Sequence, residues 1–144
     1  MHVTFPRLPD HERAWALVER DDGVVYRLYG GTAGPRLPHD IMHLVVEREL
    51  RIKDGIWAGI AAGVVFDSVQ HAELLADLVS SVAALDTMTL EKVKRLTAAK
   101  LSVPPDADVD PVVIAAAARA LQVEAARWAR LRIGEELSYD WPGT

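Results

Sequence analysis

"AWALVERDDGVVYRLYG", residues 14–30, sets two largely apolar arms on either side of Asp22-Gly23. Both arms are rich in β-formers, and Asp-Gly supplies the positive φ angles of a two-residue type I′ turn, so the stretch predicts a β-hairpin. Val3-Thr4-Phe5 reads as a further short strand closed off by Pro6. The first thirty residues or so are therefore β.

The pattern then changes. "GGTAGPRLP" (30–38) is a loop by its Gly and Pro content. Pro38 has a preset φ and no N–H to leave unpaired, which predicts a helix from about 38 to 50. After the short connection at 51–54, residues 55–85 read as one long helix or as two joined near Gly63. Another helix is expected over 89–101, then a proline-rich acidic break at 102–110. Asp110 as N-cap and Pro111 open a last helix to about Ile133, with Gly134 placed to end it. The tail is irregular or a short strand. The fold class is α+β: an N-terminal β-hairpin or small antiparallel sheet (about 1–31), then about four helices (about 38–134), in a single domain spanning 1–144.

A chain of 144 residues is long enough to bury one sizeable core. Its net charge of −5 argues against nucleic acid as a partner, because phosphate binding needs an excess of Lys and Arg. It has no cysteine, so disulfides, thiolate nucleophiles and Cys-based zinc sites are all excluded. No run is apolar and long enough to span a membrane. No signal-peptide pattern stands at the N-terminus, and a cytoplasmic location is the expectation.

Chemistry concentrates in "LPHDIMHLVVE", residues 37–47. On a helical wheel, His39, His43, Glu47 and Asp40 share an arc of about 100°. Histidines at i and i+4 are the spacing by which one helix delivers two imidazoles to a single ion. Asp67 and His71 repeat the i, i+4 spacing further on. If the connection at 51–54 folds the two segments antiparallel, His43 comes to lie beside Gly63 and His39 beside Asp67, with His71 one turn beyond. The alternative is the wet face of an ordinary amphipathic helix, with His71 a surface histidine. Gly55, Gly59 and Gly63 form a small-residue stripe, suited to close helix packing or to leaving room for a ligand opposite the histidines. Trp15, Trp57, Trp128 and Trp141 are scattered and are expected in packing.

The stretch 37–66 resembles a segment of small uncharacterised bacterial proteins with a Pro-His-Asp-x-x-His-x-x-x-Glu core. Its HDxxH part is also similar to the metal motif of the coenzyme Q biosynthesis C1-decarboxylase family, helical proteins that hold a divalent metal. His39, Asp40 and His43 match that motif, whereas the family's more distant glutamate falls on Gly55 here, and Glu47 or Asp67 would have to replace it.

Two expectations follow. In the first, His39 and His43, completed by Asp67 or His71, hold a divalent metal, whether zinc, iron or manganese. Asp40 and Glu47 are then the candidate catalytic carboxylates for hydrolysis, decarboxylation or lyase chemistry on a small organic substrate. In the second, the chain is a non-catalytic interaction or ligand-binding domain that forms a homodimer.

Overall fold

The computed structural model describes residues 1–101 and 109–142. Four strands, β1 (His2–Pro6), β2 (Arg13–Glu19), β3 (Val25–Thr32) and β4 (Glu136–Asp140), form an antiparallel sheet of order β3-β2-β1-β4. Five helices follow β3: α1 (His39–Glu49), α2 (Ile56–Ala62), α3 (Gln70–Ala83), α4 (Leu90–Lys100) and α5 (Pro111–Ala129). The fold is α+β, as the patterning predicts. The proline-rich break expected at 102–110 falls mostly on residues 102–108, outside the described residues.

The hairpin forms with a different turn. Arg20 N–H donates to Val24 O at 2.9 Å and Gly23 N–H to Arg20 O at 3.0 Å, which leaves three residues in the loop. Only Gly23 takes positive φ (87°). This is a type I turn followed by a left-handed glycine rather than a type I′ turn. Asp22 supports the longer loop, since its carboxylate accepts from Val24 N–H at 3.2 Å.

The tail forms β4, which closes the sheet along β1 with Val3 opposite Tyr139 and Phe5 opposite Leu137. Alternation then aims Val3, Phe5, Ala16, Val18, Leu137 and Tyr139 at the helices, all of them buried. Phe5 meets Trp57 and Tyr139 edge-on, with ring centroids 6.0 and 5.8 Å away. α1 is the central helix, packed against α3 and α5, with Ile41, Leu44, Val45 and Val46 fully buried. That position follows from a helix apolar around most of its circumference.

Residues 55–85 form two helices, not one. Gly63 (φ 71°) ends α2 in the left-handed conformation, and residues 63–69 lead into α3. The three glycines do not make a helix-crossing stripe. A Cβ at Gly55 would collide with the Glu47 carboxylate, and one at Gly63 with the Arg20 guanidinium. At Gly59 it would stand 2.9 Å from Val64 O. Each glycine admits a different close neighbour.

α5 begins as expected, with the Asp110 side chain accepting from Val112 N–H at 2.9 Å and Pro111 in the first turn. It stops at Ala129, short of Ile133, and Gly134 (φ 95°) serves the turn into β4 instead. The end of α1 is unusual. Ile52 N–H donates to Glu47 O (2.9 Å) and Arg51 N–H to Arg48 O (3.2 Å), the two bonds of a Schellman motif. Its left-handed position is normally glycine, but here it is Arg51 (φ 53°), a conformation that costs an L-residue about 1 kcal/mol.

Candidate functional site

The first three turns of α1 carry the site. Pro38 starts the helix, which places His39 at its first position and Asp40 in the first turn, where a negative charge suits the helix dipole. His43 follows one turn later on the same face. Its Nε2 lies 2.9 Å from His39 Nε2, and the two rings stack at 4.4 Å with 30° between planes. One nitrogen donates to the other, so at least one imidazole is neutral. His39 is exposed, whereas His43 is buried. Burial holds the His43 pKa below its ordinary value, and His39 adds to this, while Asp40 and Glu73 oppose it.

Behind His43 stands Glu47, one turn further along and fully buried. Its carboxylate accepts from the backbone N–H groups of Ile56 (3.1 Å) and Trp57 (2.9 Å), the otherwise unpaired donors that open α2. Burial raises the Glu47 pKa, against the pull of those N–H groups and that of Ala58. Glu47 Oε2 is 3.8 Å from His43 Nδ1, a ring nitrogen with no hydrogen-bond partner. The glutamate expected to do chemistry is occupied by structure: it joins α1 to α2 and backs His43.

Asp40 points the other way, toward the sheet. A Cβ on Gly30 would stand 2.7 Å from Asp40 Oδ2, so the glycine in β3 is what admits the carboxylate. Burial raises the Asp40 pKa, opposed by His39 and His43. Its backbone carbonyl accepts from Trp57 Nε1–H at 2.9 Å, which fixes the start of α1 on α2. His39 and Asp40 open onto a cleft of about 310 Å³ between the sheet and the 30–38 loop, with Phe5, Trp15 and Leu37 among its walls. Trp128 Nε1–H donates to Gly34 O at 3.1 Å and ties that loop to α5.

The remaining predicted ligands are elsewhere. Asp67 stands exposed between α2 and α3. His71 is exposed too, lining a separate cavity with Leu50, Arg51, Ile52 and Asp54 at the far end of α1. Among the described residues no three His, Cys, Asp or Glu side chains gather as a ligand set. The antiparallel register that would place Asp67 beside His39 assumes an unbroken second helix, and the break at Gly63 removes that premise. Gly30, Trp57 and Glu73 take part in the site without having been singled out as site residues. Only the Gly-Gly pair at 30–31 carried a local signal, and that signal reads equally well as a loop. In comparisons with known proteins, no family model, no curated protein and no solved structure matches the chain.

Proposed function

We propose that the protein is a small metal-binding protein, with His39 and His43 holding one divalent ion at the edge of the Gly30–Asp40 cleft, where it acts on a small organic substrate. The observation that carries this reading is the approach of the two Nε2 atoms to 2.9 Å. His39 and His43 would hold the ion, and an imidazole pair suits zinc, iron or manganese, each of which would supply a Lewis acid. Glu47 behind His43 Nδ1 matches the carboxylate that commonly orients a metal-bound imidazole from its far side. Because no further ligand joins this pair among the described residues, water and substrate would complete the shell. Asp40, half-buried on the cleft wall and raised in pKa, is the group suited to move a proton.

Elemental mass spectrometry of tag-free protein tests this. Near-stoichiometric zinc, iron or manganese in the wild type, absent from the His39→Ala/His43→Ala variant with far-UV circular dichroism unchanged, is the expected result. Neither protein taking up iron, manganese or zinc sinks the proposal.

A second reading is a homodimeric interaction module. It is favoured by the outer sheet face, where no helix packs among the described residues. There Trp15 lies opposite Tyr29, Arg27 sits 4.1 Å over the Trp15 ring, and Val25 and Tyr29 are 57% and 49% exposed. On that reading the wild type sediments as a dimer and Tyr29→Asp converts it to monomer, with metal content irrelevant to both.

A further inference from the structure

A third cavity lies behind Glu47, which is among its lining residues, and includes neither histidine of the pair. Its volume is about 650 Å³, within the range of small-molecule sites. Its floor is apolar, built from Ala58, Ala62, Phe66 and Trp141. Its rim is basic: Arg48, Arg51 and Lys53 all line it. Three cations within six residues are notable in a chain of net charge −5.

The nearby carboxylates do not cancel that charge. Glu47 is enclosed and held by two backbone N–H groups. Glu49 pairs with Arg48 at 3.9 Å. Asp54 lines the adjacent cavity with His71, which shares Arg51 and Ile52 as a wall, but Asp54 forms no ion pair with Arg51 among the described residues. Among the described residues Arg51 and Lys53 make no ion pair. Arg51 also occupies the left-handed Schellman position, which glycine would fill without strain. Strained backbone concentrates where a side chain is needed for a task. The task visible here is to hold a guanidinium at the mouth of an apolar cavity.

We propose that this cavity binds a small amphipathic anion, its apolar body on Phe66 and Trp141 and its carboxylate or phosphate between Arg51 and Lys53. The site is separate from the histidine pair and stands or falls without it.

Isothermal titration calorimetry with three probes below micelle-forming concentrations tests the assignment: decanoate, decyltrimethylammonium and acetate. One-to-one binding of decanoate alone is expected. Arg51→Gly and Lys53→Gln should each weaken it at least about tenfold. Arg51→Gly suits the positive φ and should fold with an undiminished thermal midpoint, so loss of binding there is not loss of structure. Failure of decanoate to bind, equal binding of the cation with the same chain, or unchanged affinity in both variants overturns the proposal.

Discussion

Glu47 is the residue on which most of the site depends. Its carboxylate is fully buried and accepts two backbone N–H groups from the start of α2. Glu47→Gln turns one acceptor into an amide donor facing other donors. It should cost about 1–3 kcal/mol in urea unfolding, the penalty of a buried group left unpaired. His43 governs a pH effect in the metal-free protein. Its folded pKa lies below 6.5, so the unfolded chain takes the proton first. Its contribution to stability is complete above about pH 6.5 and is lost as pH falls through the folded value. Asp40 and Glu47, both raised, act in the opposite sense: their contribution is present at low pH and fades as pH rises through their folded values. His39 and Glu73 face the same ring and complete the set. The advantage of wild type over His43→Gln should therefore shrink as pH falls from 7 to 5, by at most about 1.4 kcal/mol per pH unit. A constant difference across that range would refute the assignment.

At the scale of elements, the glycines set where helices stop and how closely their neighbours approach. Gly63→Ala meets both a positive φ and the Arg20 guanidinium, and Gly55→Ala meets the Glu47 carboxylate. Each should lower stability by about 1–3 kcal/mol, whereas alanine in an open helix interior would raise it. Thermal unfolding of the two single variants checks this. Such positions also mark how far the sequence could be read. Helix starts were legible because their signals are local: Pro38, Asp110 and Pro111 act on the next turn of backbone. The hairpin was legible for the same reason, although Asp22 supports a longer loop than Asp-Gly alone implies. The tertiary partners of the glycines were not legible. Nothing near Gly55 in the sequence announces that a carboxylate eight residues earlier will occupy the missing Cβ. The i, i+4 histidines were legible as a pair because helix geometry fixes that contact. Which other side chains join them depends on how α1, α2 and α3 dock, and spacing holds no record of that.

For the whole molecule, the question is what fastens the sheet to the helices. Tyr139 of β4 donates its hydroxyl to Glu124 of α5 at 2.7 Å, and Arg127 holds the same carboxylate at 2.9 and 3.0 Å. Burial, followed by the Glu124 carboxylate beside it, raises the Tyr139 pKa, so the phenol remains a donor throughout the working range. Tyr139→Phe leaves Glu124 with Arg127 alone and should cost about 1–2 kcal/mol in chemical denaturation. Glu124→Leu removes the acceptor and leaves two donors without it, and should cost more. β4 pairs with β1 across nearly the full length of the chain, a contact of high sequence separation. Its five residues look unremarkable in the sequence, and only closure of the domain gives them a partner strand.

The Glu47 carboxylate has one more consequence, and it concerns observation rather than stability. The amide protons of Ile56 and Trp57 rest on one carboxylate, and the oxygen that accepts from Ile56, Oε2, also lies 3.8 Å from His43 Nδ1, so their hydrogen–deuterium exchange is tied to the state of the imidazole pair. An ion drawing charge from His43 Nε2 would acidify Nδ1–H and pull Glu47 toward the ring. Exchange at those two amides should then quicken, while the amides of α5 keep their rate. Two backbone protons on the far side of the helix thus offer a probe of the site that needs no substrate.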